Sequence, residues 1–436
     1  SIALHGLNAG AVGSPIRSPV GEAKGRVRIN RALRRLGSAK AILAMLWGSL
    51  LQNKGRTKLR SALWELNFDK LITEARTFSD TIAKISPPFG MVGSFARKMF
   101  ESLKRAFEDG WGGVICKTVS LDSSKVINVT PRYAKLKATD NSVLGWENIE
   151  LISDRPFETM LEEMKRLKEE YPDRVLIASI MEEVNKDAWE ELIGRCEEVG
   201  VDAFEVNFSC PHGMPERKMG MAMGQDCELL GEVSGWINNA ATIPVWSKMT
   251  PNITDITKPA AAAMRGGAHG VSAINTILGM IGINMKNLRP MPTVEGHSTP
   301  GGYSYYAVKP IALRMVSEMA IDQPKLAISG IGGVGDAEDA IEFLLLGAST
   351  VQVCTGAMLQ GHGMVQKLID GLGEFMVKHG FSSVQEFVGH SLPYFTTHHD
   401  LVDRQVAAKA AKAGRTKTDT EWSENISAET DNLTTN

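Results

Sequence analysis

The sequence lacks any apolar run long enough to span a bilayer. Its longest such stretch, Ala41 to Leu51, has 11 residues and includes Gly48 and Ser49, so no membrane partner is expected. Cysteine is scarce. The five residues Cys116, Cys196, Cys210, Cys227 and Cys354 contain no Cys-x-x-Cys pair, which argues against iron–sulfur clusters and zinc modules carried by this chain. An odd, scattered count also fits a reducing compartment better than a disulfide scaffold. Acidic residues are nearly missing from the first 64 positions, where Glu22 stands alone against 12 lysines and arginines. With +11 there and −2 overall, the remainder carries −13. A basic, acid-poor start reads equally as an organellar transit segment, with the cytoplasm as the alternative location, or as an unstructured extension. The acidic remainder is poorly suited to a polyphosphate, so nucleic acid is not an expected partner.

What is present is enough apolar residue, 43% of 436, for one barrel with extensions or for two domains. Short runs rich in Val, Ile and Ala recur at Val114 to Cys116, Val175 to Met181, Ala203 to Val206, Val245 to Trp246, Gly270 to Ile274, Leu326 to Ser329 and Thr350 to Cys354, with Phe89 to Gly93 as a weaker first member. None alternates as a half-exposed strand would, which is the pattern of parallel strands buried on both faces. Helical spacing fills the gaps. In Pro156 to Tyr171, Phe157, Met160, Leu161, Met164 and Leu167 recur on one face, with Asp154 as the expected N-cap. Asp187 to Val199 ends at Gly200, Asp336 to Leu346 ends at Gly347, and Asp226 to Ala240 follows the same logic. Eight strands alternating with helices predict an α/β fold, a (β/α)8 TIM barrel over residues 87–400, with an N-terminal extension over 1–86 and a polar tail over 401–436. A doubly wound open sheet remains the rival, because local periodicity does not report closure.

Polar residues punctuate the ends of these runs: Lys117, Asn148, Asn207, Cys210, Lys248, Asn275 and Thr276. In a barrel, such tips assemble one active site. Each has a plainer reading. A single cysteine is most often a small buried hydrophobe, an exposed asparagine a turn former, and a lysine a packed stem with a solvated head. Two lysines at equivalent tips are harder to dismiss, since a buried ammonium is costly without an anion or strong acceptor. Cys210 follows a strand tip, and Pro211 with Gly213 imposes an irregular loop.

The segment Asn207-Phe208-Ser209-Cys210-Pro211-His212-Gly213-Met214 is joined in order by Lys117-Thr118, Asn148-Ile149-Glu150-Leu151-Ile152, Lys248-Met249-Thr250-Pro251-Asn252, Asn275-Thr276, Gly301-Gly302, Gly332-Gly333 and Val353-Cys354-Thr355. Together they closely resemble the pyrimidine-reducing barrel of the dihydropyrimidine dehydrogenase family, in its short plant-type form, over roughly residues 87 to 400. The resemblance implies an FMN-dependent oxidoreductase acting on CH–CH bonds, in the first step of uracil and thymine catabolism. Lys117 and Lys248 would face the flavin ring, with Thr118 beside them. Gly301, Gly302, Gly332, Gly333, Cys354 and Thr355 would meet the FMN phosphate through backbone N–H groups and hydroxyl. Asn148, Glu150, Asn207, Ser209, Asn275 and Thr276 would bind the pyrimidine, a flat neutral ring whose alternating acceptors and donors suit amide side chains; the three asparagines would also touch the flavin. Cys210 would protonate C5 while hydride reaches C6. A free thiol titrates near about 8.5 and so is mostly protonated at neutral pH.

NADPH would be the eventual electron donor, with a homodimer or a separate reductase as partner. The loop Gly213 to Gln225, carrying Glu216, Arg217 and Lys218, would close over the substrate. The chain departs from the family at Phe95-Ala96-Arg97-Lys98, where relatives carry small residues against the flavin. Three other functions compete: a class 1 dihydroorotate dehydrogenase, whose site must hold a carboxylate; a tRNA dihydrouridine synthase; and a non-catalytic pyrimidine-binding relative.

Overall fold

The computed structural model describes residues 88–92, 99–211 and 217–411. The expectations for residues 1–86, for Phe95 to Lys98, for the His212 to Glu216 part of the loop after Cys210 and for the tail beyond Ala411 lie outside the described residues. In chain order the main elements are β1 (Phe89–Val92), α1 (Met99–Asp109), β2 (Gly113–Ile115), β3 (Tyr133–Lys137), β4 (Val143–Asn148), α2 (Phe157–Glu170), β5 (Val175–Ile180), α3 (Lys186–Glu198), β6 (Ala203–Asn207), α4 (Met221–Gly224), α5 (Cys227–Ala240), β7 (Val245–Lys248), α6 (Thr257–Arg265), β8 (Gly270–Ala273), β9 (Ile277–Gly279), β10 (Ile283–Asn284), β11 (Arg289–Pro290), β12 (Gly301–Ser304), α7 (Lys309–Asp322), β13 (Ile328–Ile331), α8 (Ala337–Leu345), β14 (Thr350–Val353), α9 (Thr355–Gln360), α10 (Met364–His379) and α11 (His398–Ala411).

Eight of these strands close into a parallel barrel in the order β1-β14-β13-β8-β7-β6-β5-β2. Closure decides between the two architectures left open by the periodicity. Every residue of β2, β5, β6, β7, β8, β13 and β14 is buried, because side chains point alternately into the barrel and under the surrounding helices. The helices turn apolar stripes inward: Phe157, Met160, Leu161, Met164 and Leu167 of α2 are all buried. Local chemistry sets their ends. Asp336 caps α8 with a capping box through Asp339, and Asp226 caps α5 by accepting from Glu228 and Leu229 N–H.

Two of the boundaries that differ from the sequence reading have a visible cause. Helix α2 has Pro156, not Asp154, at its N-cap, and no side-chain cap bond; the ring fixes an extended entry one residue before the helix and leaves Asp154 too far upstream. Strand β13 begins at Ile328 rather than Leu326, because Leu326 N–H is held in a turn by Gln323 O.

The chain also makes an excursion that the alternation did not foretell. Between β2 and α2, and again between β8 and α7, it builds an antiparallel sheet in the order β3-β4-β12-β9. Asn148 ends β4 of this sheet, pairing with Tyr133 and Gly302, and is not a barrel strand tip. Strand β3 is half-exposed and polar, and its Lys135 lies over the Trp146 ring at 4.9 Å. A two-stranded β10–β11 hairpin precedes β12. The described residues divide into two compact units between His390 and Ser391; the second holds α11, none of whose residues is buried.

Candidate functional site

At the floor of the barrel's C-terminal end, Lys248 closes β7 with its Nζ 2.8 Å from Glu205 Oε2. Glu205, in the middle of β6, is 1% exposed. Its second oxygen accepts from Ser272 Oγ at 2.7 Å and from Gln352 Nε2 at 2.8 Å, so strands β7, β8 and β14 all converge on one carboxylate. Burying a charge is tolerated only when it is paired and its lone pairs are filled. Here both conditions hold.

The wall above is a chain of amides and hydroxyls. Asn207, ending β6, donates from Nδ2 to Thr118 Oγ1 at 3.0 Å, and its Oδ1 accepts from Ser209 N–H, Ser209 Oγ and Asn275 Nδ2. Asn275 also donates to Ser209 Oγ at 2.8 Å, and its Oδ1 accepts from Thr276 N–H. Thr118 and Ser179 exchange a 2.8 Å hydrogen bond. These bonds fix the orientation of each amide in advance, which is what recognition of a rigid planar ring demands.

Cys210 follows this wall and is 8% exposed, packed with Val126, Ile152, Met181 and Met219. The returning loop is built on it. Met221 N–H bonds Cys210 O at 3.1 Å, and Gly220 sits at φ +57 with no room for a Cβ, which would come within 2.9 Å of that oxygen. The other cysteines differ. Burial pushes the Cys116 thiol far up and that of Cys196 up to about 12, Cys227 is the first residue of α5, and Cys354 lines the cleft beyond β14.

The rim is organised by Glu150. Its oxygens accept from Lys117 Nζ at 3.1 Å, Arg132 at 2.7 Å and Tyr133 Oη at 2.7 Å. Burial and then the neighbouring carboxylate push the Tyr133 phenol well above its ordinary range, so it donates as a neutral hydroxyl. Asn148 Nδ2 donates to Gly302 O at 3.1 Å. Gly301 and Gly302 belong to β12, and a Cβ on Gly302 would fall 2.2 Å from Thr276 Oγ1. These two glycines permit close packing of the antiparallel sheet on Thr276 and Asn148.

On the opposite side, the loop after β13 carries Gly332 at φ +139 and Gly333 at φ +85, where a Cβ would come within 2.7 Å of Ala312 and Lys309 respectively. Ser304 and Thr355 hydroxyls lie 2.9 Å apart. The sequence reading stopped at the Gly332-Gly333 pair and expected no G-x-G-x-x-G between a strand and a helix, which is a misreading. The full run Gly330-Ile331-Gly332-Gly333-Val334-Gly335 has the G-x-G-x-x-G spacing of a phosphate-holding turn between a strand and a helix, here set in a closed barrel.

One cleft is thus lined by Lys117, Thr118, Asn148, Glu150, Asn207, Cys210, Lys248, Asn275, Thr276, Gly332, Gly333, Cys354 and Thr355. Three expected residues do not line it. Ser209 is fully buried behind it as a brace for Asn207 and Asn275, and Gly301 and Gly302 are spent on the sheet. The sequence reading also missed Glu205, Gln352, Tyr133, Trp146 and Ser304, all of which line the cleft. A charged residue inside the apolar run Ala203-Phe204-Glu205-Val206 was the available signal for the first. The donor set suits a flavin mononucleotide: glycine backbone and two hydroxyls for one phosphate, paired lysines and amides for one ring. Among the described residues, no group of His, Cys, Asp and Glu could hold a metal ion, and no helix is long and apolar enough to cross a membrane.

Comparison with known proteins agrees with this geometry. Residues 83–376 match the family described as dihydroorotate dehydrogenase. The chain is 58% identical over 371 residues to the chloroplastic dihydropyrimidine dehydrogenase (NADP(+)) of Arabidopsis thaliana, covering 81% of this chain and 86% of that one. It is 44% identical over 309 residues to the NAD-dependent dihydropyrimidine dehydrogenase subunit PreA of Escherichia coli K12, covering 70% and 74%. A crystal structure of the dihydroorotate dehydrogenase of Eimeria tenella in complex with ferulenol superposes with a TM-score of 0.58 at 21% identity, over 70% of this chain and 85% of that one, a likeness of fold. The chain belongs to the dihydroorotate dehydrogenase family and, within it, stands with the dihydropyrimidine dehydrogenases.

Proposed function

We propose that this protein reduces uracil and thymine to their 5,6-dihydro forms, with FMN as bound cofactor and NADPH as the eventual electron donor. The observation that carries the reading is the pre-oriented cluster of Asn207, Asn275 and Thr276 beside Cys210, with Asn148 across the same cleft. Bound FMN supplies the hydride. Gly332, Gly333 and Thr355 would hold its phosphate, and Lys117 and Lys248 would serve its ring. The asparagines and Thr276 grip the carbonyl and N–H edges of the pyrimidine. Cys210 delivers the proton to C5, and its apolar surroundings exclude water from the transfer.

The competing dihydroorotate reading needs an uncompensated cation for the substrate carboxylate. Lys117 and Arg132 are both spent on Glu150, and Lys248 on Glu205, which favours a neutral ring. The Arabidopsis relative is named chloroplastic, and with the basic, acid-poor N-terminal segment this supports a plastid location. Anaerobic reoxidation of the prereduced, FMN-loaded protein tests the reaction apart from its electron supply: uracil should reoxidise it. Reoxidation by orotate alone, or a protein that takes up no FMN, would refute the proposal.

A further inference from the structure

We propose that Glu205 is a positioning residue for Lys248 and sets the electron affinity of the flavin site; this rests on the FMN reading above. The side chain of Glu205 is 2% exposed and that of Lys248 8%, so the two charges share the dry floor of the cleft and neither is screened by bulk water. The carboxylate cannot swing away from the lysine. Its far oxygen is held by Ser272 from β8 and Gln352 from β14, on the side opposite Lys248. The orientation of Gln352 follows from chemistry: with the amide turned round, its carbonyl oxygen would oppose a carboxylate. The arrangement that avoids this leaves Gln352 Oε1 buried without a hydrogen-bond partner among the described residues. A buried carbonyl left unpaired so that the amide can face Glu205 indicates how firmly the carboxylate is fixed.

The consequence is electrostatic. Reduction places negative charge on the ring, and a lysine facing it favours the reduced state. A carboxylate 2.8 Å behind that lysine offsets the effect. The chain therefore holds the ammonium in place while limiting how far it stabilises reduced flavin, which keeps the hydride transferable. Ser272 does not line the cleft; its hydroxyl acts on the ring through Glu205 alone.

The test is the midpoint potential of bound FMN, measured by equilibration with a reference dye. Glu205→Gln keeps the volume and an acceptor for Lys248 but removes the negative charge. It should favour the reduced flavin at least tenfold, an upward shift of about 30 mV for a two-electron couple. Ser272→Ala removes a donor from the carboxylate, strengthens its offset and should shift the potential the other way, by less than tenfold. Unshifted potentials, or shifts of the same sign in both variants, overturn the proposal. If Glu205→Gln does not fold because Lys248 is left unpaired, Ser272→Ala decides alone, and an unshifted potential there overturns it. A wild-type protein that binds no FMN fails the cofactor reading itself, and this proposal with it, whereas unmoved potentials in FMN-loaded variants leave the cofactor reading standing.

Discussion

Two regions of the molecule meet at the cleft and differ in how they are built. The barrel presents Lys117, Asn207, Cys210, Lys248 and Asn275 from the tips of strands buried on both faces, while the antiparallel sheet of β3, β4, β12 and β9 presents Tyr133, Trp146, Asn148 and Ser304 from a layer half open to solvent. Barrel positions are fixed by neighbours on every side. Sheet positions depend on cross-strand pairs and on the single hub at Glu150. On the proposed function the difference implies a division of labour: the barrel carries the groups that would transfer the proton, steady charge and hold one edge of the ring, while the sheet adds Asn148 across the cleft from the part that can vary.

The comparison makes kinetic predictions of decreasing size. Cys210→Ala should lose roughly 100- to 10,000-fold in turnover, the usual range for a positioned acid, with uracil affinity nearly intact; Cys227→Ala, at the capped start of α5, should behave as wild type. Stopped-flow reoxidation by uracil measures both, and a collapse confined to Cys227→Ala would reverse the assignment. Lys248→Met should retain FMN yet make it harder to reduce by several tens of millivolts, from losing roughly 1 to 3 kcal/mol of charge-assisted interaction; an unchanged potential places Lys248 away from the ring. Asn148→Ala on the sheet should raise KM about 2- to 10-fold, as for one neutral hydrogen bond, with kcat little changed. A variant at this position that cut turnover while leaving KM alone would break the division of labour. Tyr133→Phe removes one of three donors to Glu150 and should raise KM by only about 2- to 5-fold. Smallest at the site is Asp336→Ala, which loses the α8 capping box: about 1 kcal/mol of stability by chemical denaturation, and no change in kinetic constants.

The same division governed what could be read from the sequence. Barrel strands announce themselves because burial on both faces leaves continuous Val, Ile and Ala runs, as in Val175 to Ile180. Strand β3, Tyr-Ala-Lys-Leu-Lys, and strand β12, Gly-Gly-Tyr-Ser, have neither a continuous apolar run nor clean alternation, so the sheet that carries Asn148 left no periodic trace. That is why Gly301 and Gly302 were read as a turn, where the structure shows them within β12, packed on Thr276 and Asn148. The lysines were legible as charges at apolar tips, but not their partners. Glu205, the partner of Lys248, comes from the adjoining strand β6, and Gln352, which braces Glu205, from β14, and a single polar letter inside a strand identifies a need for a partner without naming it. Glu150 stood in the right segment, yet only the fold reveals that three donors, Lys117 after β2 and the consecutive Arg132 and Tyr133 at the start of β3, already converge on it.

The seam of the barrel has a consequence for the order of assembly. Strand β1 joins β14 on one side and β2 on the other, so Phe89 must find Val351 across most of the described chain before the ring is complete. Strands β6, β7 and β8 follow one another in sequence and in space, so the Glu205–Lys248 pair and its Ser272 brace span 43 and 67 residues, against 147 for the bond from Gln352. Gln352 arrives only with the long-range closure, the slowest kind of contact to make. Cys354 and Thr355 follow β14 directly, so they too take their places at that last step. A partly folded chain would therefore own a charged floor but no far wall, and capture of the cofactor would report that the ring had shut.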